Sequence, residues 1–412
     1  PMLLGLATPR EAVAAVLSLE DCLEIAGQNH PSIVGAAASV ASQKGRVAQI
    51  AAGDRLSASG SASASRSGSE SREGANFSIG VTAEIKLYDS GRSKYELESS
   101  RHTLSAAELE ALRTATGVRS DVKSAFMTLA LNKEIAGQRL ESVKAFEHHL
   151  EQAKGFYEAG SKPWYDVTKA EVDLGNAQLS LVEAESNVRI ARASLANAMG
   201  IDQREEIDIA PTDLDILAAP DGIEAEAANL ALENRPDYKA SEMKIMAGRS
   251  GLSAEARSNS PTVSLSGGYD GSGEDAFGLG MGWNTGIRMS IPIIDGGASK
   301  AKIDVARAQV TSLESSHEKL RQDITLEVSK AATDLAKARE RIRISGLTLA
   351  SAEENRKMAV GRYETGVGDP LEVTDAILSY TDAVLSSKQA MHDLQAAIIN
   401  LEKATGVEFD QP

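Results

Sequence analysis

The chain repeats one sequence pattern twice, and this duplication constrains the fold more than any other feature. The segment 156–201 returns at one fixed offset as 362–407. Aligned pairs at that offset are Tyr157 with Tyr363, Gly160 with Gly366, Val167 with Val373, Leu195 with Leu401 and Gly200 with Gly406. A tandem duplication that covers nearly the whole chain predicts two structurally equivalent halves.

The predicted halves span residues 1–205 and 223–412, and a proline-containing acidic connector at 206–222 joins them. Each half is expected to contain a short helix, a β-hairpin, a long helix and a further helix, in that order. The predicted bounds are 19–52, 55–88, 90–159 and 163–199 in the first half, and 223–259, 262–292, 298–365 and 370–405 in the second.

Small and large apolar residues alternate along the last helix of each half at a strict three-four spacing. The series begins at Val167 and Ala170 and ends at Leu195, and a matching series runs from Val373 to Leu401. This spacing is typical of coiled-coil seams, and alanine lets two helix backbones approach closely. The alternative is an ordinary amphipathic helix, whose apolar positions would drift at 3.6 residues per turn.

The long helices at 90–159 and 298–365 contain no proline. About 70 residues at ~1.5 Å per residue would extend roughly 100 Å, so such a helix needs other helices beside it. The short helix and the last helix of each half together approach that length. We therefore expect them to stack end to end beside the long helix.

Four stretches change to a period of two residues, which is typical of strands with two different faces. In the first half 56–65 and 77–87 alternate in this way, and in the second half 263–269 and 277–291 do so. Strands of about ten residues cross an outer membrane when tilted. Four strands are too few to close a barrel by themselves.

Each long helix ends at a glycine followed by a proline. Gly160 and Gly366 are expected to adopt the left-handed conformation, and Pro163 and Pro370 to open the next helix. Asp369 is expected to cap the helix that it precedes. Each half therefore contains a tight helical hairpin.

Composition excludes several classes of function. The formal net charge of −16 and the lack of clustered basic residues argue against a nucleic-acid partner. Cys22 is the only cysteine, which excludes an intramolecular disulfide, and His148 and His149 are adjacent, so they point to different sides of a helix instead of forming a metal pair. No nucleophile motif is present, so we predict no enzyme activity, no catalytic residue, no metal site and no cofactor.

A transmembrane helix is not expected, because no stretch of about 18 apolar residues exists. A membrane role would then require strands closed into a barrel, or association at the surface. The sequence starts at Pro1 without a full basic-then-apolar leader, and we expect that an export signal was removed before this point.

With its duplication, its two β-hairpins, its two helical hairpins and its repeated Tyr-x-x-Gly turn, the chain resembles the TolC-like outer membrane efflux proteins. The resemblance covers almost the entire chain. It implies a mainly α fold with a small β part, in which long coiled-coil hairpins form an α-barrel in the periplasm. It also implies a homotrimer in the bacterial outer membrane, where four strands per protomer contribute to a 12-stranded transmembrane β-barrel that contacts lipid.

The resemblance assigns the two helical-hairpin tips to the periplasmic end of the tunnel. Asp166, Glu372 and Asp375 match acidic residues that line the closed entrance in this family, where threefold symmetry would make rings of negative charge. The alternative for Asp166 and Glu372 is stabilisation of helix N-termini. Asp375 lies a turn further in and is not needed for capping.

Docking of a periplasmic adaptor is expected at the tip turns. The residues concerned are Tyr157, Gly160, Lys162, Tyr363, Gly366 and Gly368. Relatives often carry a basic residue just after the turn glycine; here the second repeat has Val367 and Gly368, and only the first repeat offers Lys162. The tyrosines could bridge neighbouring helices, although packing alone would also explain them.

The expected function is that of a passive exit duct in a tripartite efflux pump or a type I secretion system. The adaptor and an inner-membrane transporter would open it at the tips. The alternatives are a periplasmic coiled-coil adaptor and a structural cell-envelope tether without a conducting lumen. An adaptor would have one helical hairpin beside a lipoyl-like β-domain, whereas this chain has two hairpins and four amphipathic strands.

Overall fold

The computed structural model describes residues 15–69, 72–204, 207–210, 222 and 226–409. The fold is mainly helical with a small sheet part. The elements of the first half are β1 Ala15–Leu17, α1 Leu19–Asn29, α2 Pro31–Ala52, β2 Ser57–Ser69, β3 Arg72–Tyr88, α3 Arg92–Glu158 and α4 Trp164–Met199, and the connector contains β4 Ile207–Ile209. Those of the second half are α5 Ala227–Asn234, α6 Pro236–Glu255, β5 Thr262–Gly273, β6 Gly280–Ser290, α7 Ala298–Glu364 and α8 Pro370–Thr405.

Contacts divide the chain into two compact units, each of which takes segments from both sequence halves. The tip unit comprises Pro1–Gly35, Leu112–Arg235 and Gln322–Pro412, and the sheet unit comprises Ala36–Ala111 and Pro236–Arg321. The compact units therefore cut across the predicted repeats. Of the predicted connector at 206–222, only 207–210 and 222 belong to the described residues, and there β4 pairs in parallel with β1.

The short helix of each half is broken, which corrects the prediction of one helix over 19–52 and one over 223–259. His30 and Arg235 leave the helical conformation, with ψ of 123° and 122°. Each stands before a proline, Pro31 or Pro236, whose ring disfavours helical backbone in the residue that precedes it. The two halves thus contain α1 with α2 and α5 with α6.

In the tip unit the ends of α4 and α8 lie against these proline breaks. Gly200 and Gly406 close the two helices in the left-handed conformation, with φ of 73° and 74°. A Cβ at Gly200 would lie 2.7 Å from the Cα of His30, and one at Gly406 would lie 3.3 Å from that of Arg235. Because glycine has no Cβ, the ends of α4 and α8 can pack directly against the backbone of the proline breaks.

The alanine-rich seams form the core of the tip unit. Val167, Ala170 and Leu195 of α4 are fully buried, as are their counterparts Val373 and Leu401 of α8. A buried ion pair adds to this packing, because Lys123 Nζ of α3 lies 2.6 Å from Glu402 Oε2 of α8. Such a pair holds a specific arrangement of helices, since separating its partners would leave a buried charge uncompensated.

The sheet unit is built around one antiparallel sheet of four strands in the order β2-β3-β5-β6. The central pair joins the two halves, with Val81 opposite Tyr269 and Ile85 opposite Leu265. β6 begins at Gly280, so Phe277, which the periodicity placed in this strand, lies in the preceding turn and is fully exposed. Residues 70 and 71 of the first hairpin turn lie outside the described residues.

The sheet is amphipathic, and its apolar face is uncovered in the protomer. Side chains that pair across the strands place one apolar row on the same face, and these side chains are largely exposed. They are Ile79, Val81, Tyr269, Met281, Trp283, Ile287 and Met289. The opposite face of β2 carries Ser57, Ser59, Ser61, Ser63 and Ser65.

An aspartate fixes the start of each long helix. Asp89 accepts hydrogen bonds from the backbone N–H groups of Gly91 and Ser93 at 3.0 and 2.9 Å. Asp295 accepts the equivalent bonds from Gly297 and Ser299 at 2.9 and 2.8 Å. The hydrogen bonds from Ser299 and Gly297 hold the pKa of the Asp295 carboxyl well below its usual range.

Within the described part of the chain, none of the helices combines the length and the apolar character that a membrane span requires.

Gly200→Ala is expected to destabilise the protein by at least ~1–2 kcal/mol, because the residue must keep a left-handed backbone and its Cβ would meet His30. Gly137→Ala is the matched control. Gly137 lies inside α3 with nothing within 4 Å of an added Cβ, and this change should stabilise by roughly 0.5–1 kcal/mol. Thermal unfolding followed by circular dichroism measures both. Equal melting temperatures for the two variants would contradict the close approach of Gly200 to His30.

Candidate functional site

The first tip turn connects α3 to α4 through a left-handed glycine. Gly160 has φ of 70°, and its N–H donates to the carbonyl of Tyr157 at 2.9 Å. The N–H of Ser161 donates to the carbonyl of Phe156 at 3.0 Å. These bonds satisfy the last carbonyls of α3, as expected for a glycine-ended helix. Pro163 is the N-cap of α4, so the helix itself begins one residue later than Pro163.

The second tip turn repeats this geometry between α7 and α8. Gly366 has φ of 76°, and its N–H donates to the carbonyl of Tyr363 at 2.9 Å. A Cβ at Gly368 would lie 2.7 Å from the backbone nitrogen of Tyr363, so this turn folds back closely on α7. Asp369 caps α8 by accepting a hydrogen bond from the N–H of Leu371 at 2.9 Å.

Lys162 connects the two tip turns. Its Nζ donates to the carbonyl oxygen of Gly368 at 3.3 Å and lies 5.8 Å from the centre of the Tyr363 ring. The basic residue of the first repeat therefore contacts the turn of the second repeat, which has no basic residue after its own glycine.

Tyr363 is the centre of the packing below the turns. Its side chain is 1% exposed and lies in a buried cluster with Phe146, Val373 and Ile377. The ring of Phe156 meets it edge to face, with the ring centres 5.3 Å apart. Its partner in the alignment, Tyr157, is instead 44% exposed, so the two tyrosines of the duplicated turn have different roles.

A second feature of the tip unit is a polar cluster, which we call the tip polar cluster: the buried residues His149, Asp166, Asp173 and Thr374 with the half-buried Lys169. The Lys169 Nζ contacts both carboxylate oxygens of Asp173 at 2.6 and 2.7 Å. Thr374 of α8 donates to Asp173 Oδ2 at 3.1 Å. The cluster therefore ties α4 to α8 by hydrogen bonds.

His149 of α3 is 3% exposed, and its ring centre lies 5.1 Å from that of Tyr363. Burial lowers the pKa of its imidazole, and this outweighs the opposing attraction of Asp173 and Asp166 for the protonated form. Burial also raises the pKa of the Tyr363 hydroxyl, with a further contribution from Asp166. Both groups are therefore neutral in the packed tip at neutral pH.

The three predicted entrance acids do not share one environment. Glu372 and Asp375 are exposed and three residues apart on α8, so they lie on one face of that helix. Glu372 Oε2 lies 3.7 Å from Arg362 Nη2. Asp166, in contrast, is 8% exposed, so within the protomer it belongs to the tip polar cluster and not to the exposed acidic face.

Sequence reasoning missed His149, Asp173 and Thr374. The signal for His149 was available, because Phe146, His149 and Ala153 follow the three-four spacing of a buried stripe. His148, on the other side of the helix, is exposed. The hydrogen bond between Asp173 and Thr374 joins residues about 200 positions apart, and no local pattern indicates such a contact.

The surface of the first turn is aromatic. The rings of Tyr157 and Trp164 meet with their centres 5.0 Å apart, and Tyr165 is 71% exposed beside them. The second turn exposes Val367 and Leu371, and Leu371 aligns with Tyr165 in the repeat. The two tips therefore present different apolar surfaces.

Comparison with solved structures defines the class of fold. The chain is similar to the outer-membrane channel OprN, with a TM-score of 0.82 and 21% identity over 94% of this chain and 89% of that one. It is similar to CusC with a TM-score of 0.84 and 19% identity, over 98% of this chain and 95% of that one. The chain therefore shares the fold of these two solved proteins, with helical hairpins and a small sheet.

The chain belongs to the outer membrane efflux protein family. The sequence model of that family matches it twice, at residues 22–201 and 227–407, which also agrees with the duplication. Membership makes it an outer-membrane protein.

Curated relatives are distant. CyaE of Bordetella pertussis is 27% identical over 309 residues, which are 73% of this chain and 64% of CyaE. OprJ of Pseudomonas aeruginosa is 28% identical over 184 residues, which are 44% of this chain and 38% of OprJ. In both cases the chain spans less than two thirds of the relative's length.

Tyr363→Phe is expected to leave stability unchanged or raise it by about 1 kcal/mol. The Tyr363 hydroxyl is buried and has no hydrogen-bond partner among the described residues, so removing it relieves an unsatisfied polar group. Tyr363→Ala should cost ~3–5 kcal/mol, because it opens a cavity in the apolar cluster. Thermal unfolding compares the two with Tyr157→Phe as the exposed control. A large loss of stability in Tyr363→Phe alone would show that the hydroxyl has a partner.

Proposed function

We propose that the chain is the outer-membrane exit duct of a tripartite efflux pump or a type I secretion system. The duct is passive, and it opens when a periplasmic adaptor and an inner-membrane transporter engage the helical tips. One observation carries this proposal: the four-stranded sheet has an apolar face that is exposed in the protomer and two edge strands, β2 and β6.

The sheet supports assembly into a closed homotrimer. Open strand edges and an exposed apolar face are both unfavourable in water, and three copies of four strands remove every edge while the apolar face meets lipid. Three chains with four strands each would form a 12-stranded barrel. The serine-rich face of β2 would then line water.

Helices of the tip unit also carry apolar side chains that the protomer leaves exposed. On α4 these are Val172, Leu179, Val182 and Ile190, and on α7 they are Leu326, Ile344, Leu347 and Met358. Exposed apolar surface of this extent is typical of interaction sites. Neighbouring protomers would cover part of it in a periplasmic α-barrel.

The entrance is proposed to lie at the tip turns, with Glu372 and Asp375 facing the lumen. Repeated by threefold symmetry, these exposed carboxylates would form two rings of negative charge that favour cations. Their alternative is structural: Glu372 lies in the first turn of α8 and pairs with Arg362. For Asp166, burial in the first turn of α4 supports a structural role.

Adaptor docking is proposed at the exposed part of the tips. Gly160, Gly366 and Gly368 shape the turns, Lys162 joins them, and Tyr157 contributes to the aromatic surface. Similarity to proteins described as outer-membrane channels, such as OprN, supports the duct over an adaptor or a tether. CusC of Escherichia coli is named a cation efflux system protein. This name identifies the cargo of CusC and does not identify the cargo of this chain.

The proposal is tested by the mass of the detergent-purified protein and by single-channel recording in a planar bilayer. A trimer with a small, cation-selective conductance supports the duct. A monomer that never inserts overturns it and favours an adaptor or a tether.

Glu372→Gln with Asp375→Asn should raise the closed-state conductance and lower cation selectivity several-fold, because two charges per protomer leave the entrance and Arg362 loses its partner. Reversal potentials in a KCl gradient measure the selectivity. The matched control is Glu183→Gln with Glu185→Gln, which removes the same charge from exposed positions of α4 further from the turns. Unchanged conductance and selectivity in the first variant would refute the entrance assignment.

A further inference from the structure

The rings of two buried residues, His149 and Tyr363, are in contact inside the tip unit. His149 Nδ1 and the Tyr363 hydroxyl both lack a hydrogen-bond partner among the residues that the structure describes. The two rings are in contact, with their centres 5.1 Å apart, and are 3% and 1% exposed. A buried polar atom left unpaired costs free energy, so this contact is held in place by the apolar packing around it.

Charged and titratable groups face His149 from the helices that surround it. Its own helix α3 contributes His148, α4 contributes Asp166, Lys169 and Asp173, and α7 contributes Tyr363. From α8 comes the hydroxyl of Thr374, bonded to Asp173. Lys169 already neutralises Asp173 at 2.6 Å, so that carboxylate is not free to pair with a protonated His149.

We propose that His149 is a proton-sensitive latch that keeps the tips packed when it is neutral and loosens them when it is protonated. The proposal concerns regulation of the same tips and rests on the proposed function where it equates loosening with opening of the duct. In the packed tip, a charged imidazole would be almost fully removed from water and would lie against the Tyr363 ring. Loosening gives that charge access to water.

The direction of the pH effect follows from burial. An exposed histidine has an ordinary pKa of about 6.5, whereas burial lowers the pKa of His149 in the packed tip. The loosened tip therefore binds more protons in the acid range, and the packed form loses stability as the pH falls below about 6.5. At pH 5.5 the equilibrium per protomer should shift toward the loosened tip by up to about tenfold, and at pH 7.5 by almost nothing.

Hydrogen–deuterium exchange of the full-length protein tests the latch without requiring conduction. Segments 143–153 and 360–377 are compared between the parent protein and His149→Gln at the same pD, so that intrinsic exchange rates cancel. We expect faster exchange in the parent than in the variant at acid pD and equal exchange at neutral pD. Identical exchange at both pD values would overturn the proposal.

Two further variants keep the test decisive. His149→Phe packs against Tyr363 without a titratable group, and it must abolish the acid response even if His149→Gln is poorly folded. His148→Gln removes the exposed neighbour and must retain the full response of the parent. Loss of the acid response in His148→Gln would show that His148, and not His149, causes that response, and it would refute the latch.

Bilayer recording separates this proposal from the proposed function. If acid raises open probability in the parent and not in His149→Phe, the latch controls the entrance of a duct. If acid accelerates exchange through His149 in a protein that never conducts, the latch is supported and the exit duct is overturned. If the protein conducts and neither its exchange nor its open probability responds to pH through His149, the duct stands and the latch is refuted.

Discussion

Close packing through alanine is the constraint on which the rest of the structure depends. Aromatic residues make up only 4% of the chain, so the helices have few large side chains with which to fill a core. The buried seams at Ala170, Ala177 and Ala184, repeated at Ala376, Ala383 and Ala390, instead bring helix backbones close together. Close packing leaves little room for error at helix ends, and Gly200 and Gly406 are accordingly glycines that touch the proline breaks.

The sheet requires both halves of the duplicated chain. Its central pairing, β3 with β5, joins the two halves of the duplication, so both hairpins are needed for the protomer's four strands. Its apolar face nevertheless remains exposed, and β2 and β6 remain edges. Each of these features is costly for a soluble monomer and favourable for a closed assembly in lipid. The family membership of the chain agrees with this physical argument.

The duplicated turn shows how identical local sequence acquires different roles. Gly160 and Gly366 have nearly the same φ, because each ends a helix whose last carbonyls must be satisfied. Tyr157 and Tyr363 occupy matching positions, yet one lies on an aromatic surface and the other is buried against His149. Lys162 reaches from the first turn to the second, so the tips are joined by a residue that only one repeat possesses.

Local rules predicted much of this fold and little of the site's chemistry. Spacing, glycine and proline were enough to predict the long helices, the two hairpins of each kind and the Asp369 cap, because those signals act within a few residues. The same rules could have predicted the breaks at His30 and Arg235 from the prolines that follow. They could not predict the burial of Asp166 or the bond from Thr374 to Asp173.

The sequence by itself determined the duplication, the order of the long helices, the last helices and the β-hairpins, and the small-residue seams, because periodicity and turn chemistry are properties of neighbouring residues. Only the tertiary structure decided which acids are exposed, which tyrosine is buried, and that the His149 ring lies against the Tyr363 ring. These outcomes depend on which helix faces cover each other. Burial, and with it the pKa of His149, is set by residues that are distant along the chain.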